Sequence, residues 1–143
     1  MTMSSAKTRS ENNVGNNELC RIVMEYRAIM KRLVDQAKQP GFTVASWAPL
    51  AELVAVDEFE RVGNFREVQN WQEYAEFLTQ WARACGWDST FRRIHESSGV
   101  VFLELEERST IGDKKTVCNS VSVYEFNQAR KIRHLDIYLQ YAP

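Results

Sequence analysis

The sequence predicts an α+β fold in which three helices precede a four-strand antiparallel meander. Three observations lead to this prediction. Apolar residues recur at helical spacing in the first half of the chain and alternate with polar residues in the second half. The connections between the alternating segments are too short for crossovers, so consecutive strands must pair antiparallel. The helices then cover one face of a curved, mostly antiparallel sheet.

Composition indicates an ordinary soluble domain. The 143 residues are 44% hydrophobic and 26% charged, with a formal net charge of −1. This charge provides no field to attract nucleic acid or an anionic membrane, and no apolar run approaches the roughly 20 residues of a membrane span. The cysteines are far apart and have no zinc-ligand spacing, so we expect no metal site and free thiols in a reducing cytoplasm.

The first 16 residues are polar and contain no apolar segment of the kind found in secretory signals. Because they offer little to bury, we expect residues 1–16 to form a disordered tail. A single α+β domain is then expected over residues 17–143.

Helical periodicity occurs in three segments. Apolar residues in 16–38 recur at i, i+3, i+4 and i+7, which predicts a long amphipathic helix that ends before Pro40. A shorter helix fits 46–56, where a proline is tolerated in the first turn. A third helix fits 70–85, and Gly86 is a plausible terminator.

Strand-like alternation fills the remainder. Between the second and third helices, residues 57–68 fit a strand or hairpin with Gly63-Asn64 as its turn. After the third helix, four alternating segments follow with short polar turns between them. They cover residues 89–96, 100–111, 115–126 and 131–140.

Four stretches, NWQEYAEFLTQWA, VVFLELEER, VSVYEFNQARKI and IRHLDIYLQ, occur within this order of elements. Together they resemble the nuclear transport factor 2-like (NTF2-like) superfamily, which includes SnoaL-like polyketide cyclases, ketosteroid isomerases and limonene epoxide hydrolases. The resemblance covers about residues 17–141. It implies a cone-like barrel, in which the curved sheet wraps around the long N-terminal helix. It also implies an apolar pocket at the mouth of the cone.

The resemblance transfers few catalytic residues. Tyr26 stands where ketosteroid isomerases carry an oxyanion-donating Tyr on the first helix. Arg61 replaces their general-base Asp and cannot abstract a proton at neutral pH. Ser122 replaces their second donor, an Asp. Arg108 matches the Arg that ends the long strand of the epoxide hydrolases, but Ile137 stands where their last-strand Asp would be.

The long second strand of the meander allows two orientations. Glu104, Glu106 and Arg108 share one face, and Leu103 and Leu105 share the other. The resemblance places Arg108 inward and therefore Glu106 as well, where charged groups bind a polar ligand end or shift a carboxyl pKa. The alternative is that the charged face lies at solvent or in a dimer surface while the leucines face the helices.

The catalytic candidates are Tyr26, as donor to a developing oxyanion, and Glu106, as acid or base. Tyr26 equally fits a core tyrosine whose hydroxyl is hydrogen-bonded at the rim. The ligand-pocket candidates share inward positions on the expected strands. They are Phe59, Arg61, Arg108, Ser122, Tyr124, Leu135, Ile137 and Leu139.

A histidine and an aspartate lie two residues apart on the last strand. The register that places Ser122 in the pocket places His134, Asp136 and Tyr138 on the outer face of the sheet. In the superfamily that the chain resembles, this face commonly packs against a second subunit. The resemblance therefore implies a homodimer related by a two-fold axis.

Two functional hypotheses remain open. One is a cofactor-independent isomerase, cyclase, dehydratase or hydrolase that acts on a small, hydrophobic, ring-bearing molecule. The other is a non-catalytic ligand-binding or dimeric assembly module of the same fold. Either hypothesis predicts a small hydrophobic molecule and a second copy of the chain as partners, without nucleic acid, membrane, metal or organic cofactor.

Overall fold

The computed structural model describes residues 17–143, so the tail predicted over 1–16 lies outside the described residues. Along the chain, a short helical segment that contains α2 lies between helices α1 and α3. They are α1 (Glu18–Gln36), a 3-10 turn (Val44–Trp47) that continues into α2 (Ala48–Ala51), and α3 (Trp71–Ala84). The strands are β1 (Glu60–Val62), β2 (Val68–Gln69), β3 (Gly86–Ser97), β4 (Val100–Ile111), β5 (Lys114–Phe126) and β6 (Ile132–Tyr141).

Helix α1 begins where its sequence pattern predicts. The Asn17 side chain accepts a hydrogen bond from the Cys20 backbone N–H at 3.0 Å and caps the first turn. The apolar stripe, including Val23, Tyr26 and Leu33, is buried. The helix packs mainly against β3. The N-terminal stripe therefore forms one side of the core.

The second predicted helix is much shorter in the structure, because its last residues form backbone hydrogen bonds with the last strand instead. The Ala55 N–H donates to the Ile132 carbonyl, and the Ile132 N–H donates to the Leu53 carbonyl, both at 2.9 Å. Groups bonded in this way cannot continue a helix. The chain after α2 is consequently held beside the start of β6.

Within the described residues, six strands form one open sheet in the order β2-β1-β6-β5-β4-β3. The meander β3 to β6 is antiparallel throughout, and β1 pairs in parallel with β6. The α+β prediction, with a mostly antiparallel sheet and helices first, is confirmed. The sheet is not closed, because β2 and β3 are its free edges.

The sheet has two faces, which we call inner (toward α1 and α3) and outer. On β4, Val101, Leu103 and Leu105 are buried on the inner face, whereas Phe102 is 39% exposed on the outer face. A bulge in β3 between Phe91 and Arg93 shifts the register of that strand. None of the helices in the described part of the chain is long and apolar enough to cross a membrane.

Candidate functional site

A cavity of about 380 Å³ lies between the helices and the inner face of the sheet. Its wall is formed by α1, α3, β1, the inner faces of β3 to β6, and the loop over residues 63–67 that joins β1 to β2. Most of the wall is apolar, so the few polar groups stand out. The charged ones belong to Arg27, Arg61, Glu67 and Glu107, and the neutral ones come from tyrosines, serines, Asn64 and Thr116.

Many of the residues expected in a pocket lie in this wall. The long α1 positions Tyr26, β1 positions Arg61, and the pairing of β5 with β6 aligns Ser122 with Ile137 and Tyr124 with Leu135. Alternation along two paired strands explains why these side chains share the inner face. The sequence-derived candidates in the wall are Tyr26, Arg61, Ser122, Tyr124, Leu135, Ile137 and Leu139.

Phe59 lies behind the wall rather than in it. Its ring stacks on Tyr74 with centroids 6.1 Å apart, and it meets Trp71 edge-on at 5.6 Å. It is buried because it precedes β1 on the inward side, two residues before Arg61. Phe59 therefore supports Tyr74 and does not form part of the wall.

The inward orientation expected for Glu106 and Arg108 is wrong. Arg108 Nη1 donates to Glu106 Oε1 at 3.0 Å and to Thr90 Oγ1 at 2.9 Å, all on the outer face. The physical reason is the alternation of β4, since burying Leu103 and Leu105 turns the even-numbered side chains away from the helices. Glu106 is therefore not an acid or base for this cavity.

Glu107 takes the inner position that was assigned to Glu106. Its Oε1 accepts a hydrogen bond from Trp87 Nε1 at 2.8 Å, and both side chains lie in the cavity wall. The signal was present in the sequence: extending the alternation of Leu103 and Leu105 by two residues reaches Glu107. The match of Arg108 to the epoxide hydrolases pointed to the opposite orientation, with Glu106 inward.

Arg61 brings a positive charge to the apolar wall. Its Nη1 donates to Gln69 Oε1 at 3.0 Å and lies 3.6 Å from Glu67 Oε2. The guanidinium carbon lies 4.9 Å from the centre of the Tyr74 ring and 5.7 Å from that of Phe77. Its Nε is buried and has no hydrogen-bond partner among the described residues.

Three buried tyrosines line the same cavity. The rings of Tyr26 and Tyr124 meet edge-on with centroids 5.6 Å apart. Burial raises the pKa of Tyr26 well above its ordinary value, and proximity to Tyr74 and Tyr124 adds to this rise. Burial likewise raises the pKa of Tyr74 and of Tyr124. All three are therefore neutral phenols at physiological pH and can donate hydrogen bonds.

The Tyr26 hydroxyl is buried without a hydrogen-bond partner of normal geometry in the described chain. The Tyr74 hydroxyl is close enough to interact with that of Tyr26 and to raise its pKa, but the contact falls outside normal hydrogen-bond geometry. The expectation of a rim tyrosine with a satisfied hydroxyl does not describe this residue. A ligand oxygen could supply the missing acceptor.

His134, Asp136 and Tyr138 lie on the outer face of the sheet, where the register of the last strand predicts them. His134 Nε2 lies 3.0 Å from Asp136 Oδ1, and His134 Nδ1 lies 3.2 Å from Glu60 Oε1. With Glu125, the potential ligand atoms of His134 and Asp136 lie within 4.8 Å of one another, which is the spacing of a metal site. Their mutual contacts, and an ion pair between Glu125 and Arg133, account for the arrangement without an ion.

Comparisons with known proteins identify the fold. No family model matches the chain, and no curated protein matches its sequence. Among solved structures, an NTF2-like protein from Anabaena variabilis has 12% identity and a TM-score of 0.63, covering 100% of this chain and 96% of that chain. An LEH-like epoxide hydrolase from M. tuberculosis has 15% identity and a TM-score of 0.57, covering 79% and 84%.

A third structure is a protein from Catenulispora acidiphila with a ketosteroid isomerase-like fold, solved in complex with trimethylamine. It has 11% identity and a TM-score of 0.55, and covers 66% of this chain and 79% of that chain. The chain thus has the NTF2-like fold, as its sequence predicts. At these identities the likeness shows the fold alone, so activity must be argued from the cavity.

Proposed function

We propose that the cavity binds a small, ring-bearing molecule and that Tyr26 and Arg61 hold an oxygen atom of it. One observation supports this proposal above the others: Tyr26 Oη and Arg61 Nε are buried atoms of wall residues, and neither has a hydrogen-bond partner in the described chain. A buried polar group left unpaired costs about 1–3 kcal/mol. A ligand oxygen that accepts from these donors would remove that cost.

The size and lining of the cavity support the same proposal. A volume of about 380 Å³ falls in the range of roughly 300–1,000 Å³ that is usual for small-molecule pockets. Leu135, Ile137 and Leu139 offer an apolar surface to the ring. A compact molecule of one or a few rings with a single strong acceptor fits this combination best.

As an enzyme, the protein would act as a cofactor-independent isomerase, cyclase, dehydratase or hydrolase. Tyr26 would donate to an oxyanion that develops on the ligand, because its raised pKa keeps the phenol protonated. Glu107 would be the acid or base, since it is a carboxylate in the wall. The NTF2-like fold of an epoxide hydrolase is consistent with this reaction class.

A ligand screen followed by turnover assays tests this function. Steroids, polyketides, terpenoids and aromatic acids are first ranked by the rise in melting temperature that each produces. Once turnover of a hit is found, Glu107→Gln should reduce kcat by about 100-fold or more, as loss of a general acid or base does. Glu106→Gln is the matched control and should leave kcat unchanged. The reverse pattern contradicts the assignment.

A non-catalytic ligand-binding module is the second candidate. The observation that favours it is that Glu107 already accepts a hydrogen bond from Trp87, while Arg61 and Ser122 replace the carboxylates of the resembled isomerases. In that case ligands would raise the melting temperature without turnover. Tyr26→Phe would then weaken binding. Because no reaction takes place, Glu107 would have no catalytic role.

We also infer a homodimer formed through the outer face. Three apolar or aromatic side chains of this face, Phe102, Val117 and Tyr138, are 39%, 45% and 59% exposed, and a second copy of the chain would cover them. Light scattering of the full chain should give the mass of a dimer. Tyr138→Glu should shift that mass toward the monomer, whereas a monomeric unmodified chain contradicts the inference.

The compartment proposed for the protein is the reducing cytoplasm. Within the described residues, Cys20, Cys85 and Cys118 are free and buried. Buried thiols of this kind behave as small apolar side chains and do not require oxidation for stability.

A further inference from the structure

The Arg61 guanidinium is more deeply buried than the acidic group that faces it. The Arg61 side chain is 12% exposed, whereas the Glu67 side chain is 47% exposed. The shortest contact between them, Nη1 to Oε2, is 3.6 Å. The outer-face pair Arg93 and Glu104 reaches 2.8 Å. Glu67 is thus a distant counter-ion for a cation that is largely removed from water.

The remaining donors of Arg61 are only partly used. Nη1 donates to Gln69, the Tyr74 hydroxyl lies close enough to interact with the guanidinium, and the rings of Tyr74 and Phe77 contact the planar group. Carboxylates bind guanidinium groups with two parallel hydrogen bonds, often along the edge formed by Nε and Nη2. Nε is the atom that lacks a partner in the described chain. The side of Arg61 that suits a carboxylate is therefore incompletely satisfied.

The loop over residues 63–67 holds Glu67 in place. Glu67 Oε1 accepts a hydrogen bond from the Phe65 backbone N–H at 3.0 Å. A Cβ atom at Gly63 would lie 1.9 Å from Glu67 Oε2 and 2.9 Å from Arg61 Nη1. The backbone of Gly63 is not in the left-handed region. A Cβ at this position would therefore push aside the flexible end of the Glu67 side chain without straining the backbone.

We propose that the ligand of the cavity is a ring-bearing carboxylate whose carboxylate group replaces Glu67 on Arg61. This inference rests on the proposed function, because it presupposes that the cavity takes a ring-bearing molecule. Exchange of one carboxylate for another keeps the charge around Arg61 balanced. A neutral ligand cannot make this exchange, and a cationic ligand is repelled by the guanidinium.

The two carboxylates of the wall would both direct such a ligand. The Glu67 side chain is half-exposed, so its contact with Arg61 contributes little free energy. Moving Glu67 away from Arg61 into water therefore costs little. Glu107 is held by Trp87 and repels an anion from its own part of the wall. Arg27, the other arginine of the wall, already donates to Ser89 Oγ and to the Ser89 carbonyl. The ligand carboxylate is thereby directed to Arg61, and the ring lies against the apolar side chains.

Calorimetric titration with matched acids and amides tests the inference. The probes are benzoate, naphthoate and biphenylcarboxylate, each paired with its own carboxamide of nearly the same shape. For at least one pair, the acid should bind the unmodified protein about tenfold more tightly than the amide, as expected for a charge-assisted pair of hydrogen bonds. Arg61→Gln should remove this preference. Arg108→Gln, an arginine on the outer face, is the control and should retain it.

Two further variants test the exchange with Glu67. Glu67→Gln removes the competing anion, and Gly63→Ala displaces it by filling its space. Each should raise the affinity for the acid by about threefold to tenfold and leave the amide unchanged. Glu67 is exposed, and a Cβ at the buried Gly63 meets only the ends of flexible side chains, so both variants remain informative if Arg61→Gln fails to fold. An unchanged ratio of acid to amide affinity in both variants overturns the exchange.

The outcomes separate this inference from the proposed function. If acids and amides bind equally well, the carboxylate inference fails while ring binding in the cavity stands. If none of the six probes binds but another ring-bearing compound of the screen raises the melting temperature, only the carboxylate inference fails; if no compound of the screen binds either, both are overturned. A preference for the acid that disappears only in Arg61→Gln and increases in the loop variants supports both.

Discussion

Charged groups on the two faces of the sheet have different kinds of partners. The difference is sharpest on β4, where the adjacent residues Glu106 and Glu107 point to opposite sides. On the outer face, Glu106 lies 3.0 Å from Arg108 and 3.5 Å from Arg92. On the inner face, Glu107 has a neutral donor, Trp87. One step along a strand therefore changes a carboxylate from an ion-pair partner into part of a cavity wall.

The comparison shows where free energy is available for binding. Outer-face charges are half-exposed and pair across neighbouring strands, so a ligand there would have to compete with water and with existing partners. Inner-face donors such as Tyr26 Oη and Arg61 Nε are buried without partners in the described chain. A ligand that satisfies such atoms gains more than one that replaces an exposed ion pair.

The largest expected effect concerns the three tyrosines of the inner face at alkaline pH. Burial raises the pKa of Tyr26, Tyr74 and Tyr124, whereas in the unfolded chain they ionise near a pH of about 10. Above that pH the unfolded state loses protons that the folded state keeps, so stability falls. The slope should approach about 1.4 kcal/mol per pH unit for each tyrosine, or about 4 kcal/mol for three.

Urea denaturation across about pH 9 to pH 11 measures this slope. Tyr26→Phe should reduce it by about 1.4 kcal/mol per pH unit, because one of the ionisations that differ between the folded and unfolded states is removed. Below the ordinary pKa of tyrosine the same variant should show no pH-dependent difference. An undiminished alkaline slope in Tyr26→Phe would contradict the burial of that hydroxyl.

The next effect compares aliphatic side chains on the two faces. Leu103 is 1% exposed on the inner face of β4, and its truncation to alanine should lower the free energy of unfolding by about 2–4 kcal/mol. Val117 is 45% exposed on the outer face of β5, so in a sample dilute enough to be monomeric Val117→Ala should change stability by no more than about 0.5 kcal/mol. Chemical denaturation measures both values. A comparable loss at Val117 in the monomer contradicts the comparison, whereas a loss that grows with protein concentration is expected from the inferred dimer.

A smaller effect compares hydrogen bonds in the two environments. In the interior, Trp47 Nε1 donates to Thr79 Oγ1 at 2.8 Å. Thr79→Val leaves the indole N–H buried without an acceptor and should cost about 1–3 kcal/mol. On the outer face, Asn119 donates to Gln140 at 3.3 Å, and Asn119→Ala should cost less than about 0.5 kcal/mol because water replaces the lost partner. Equal losses of stability in Thr79→Val and Asn119→Ala would contradict the expected difference between buried and exposed hydrogen bonds.

The layout of the fold could be predicted because local patterns determine it. Helical spacing predicts α1 and α3, and in the structure Asn17 caps the first turn of α1 and an Asn70–Glu73 capping box begins α3. Short turns force the antiparallel meander. The shortened second helix could not be read in this way, because it depends on hydrogen bonds to Ile132, which lies far along the chain.

The candidate site was less predictable because it depends on which face of a strand is buried. The alternation of β4 defined two faces, and only the burial of Leu103 and Leu105 selects Glu107 over Glu106. The turn at Gly63-Asn64 was expected to be tight. It is instead a longer loop, which brings Glu67 back to Arg61. No local sequence pattern reports such a contact.

The smallest effect tests the value of the outer-face ion pairs. Arg93 Nη2 lies 2.8 Å from Glu104 Oε2, and the two side chains are 77% and 34% exposed. A double-mutant cycle with Arg93→Ala and Glu104→Ala should give a coupling energy of about 0.2–1 kcal/mol. Because exposed charges are screened, raising the salt concentration should reduce that energy further. A coupling well above this range that resists salt in a sample dilute enough to be monomeric would contradict the comparison, whereas a coupling that rises with protein concentration is expected if the inferred dimer covers the pair.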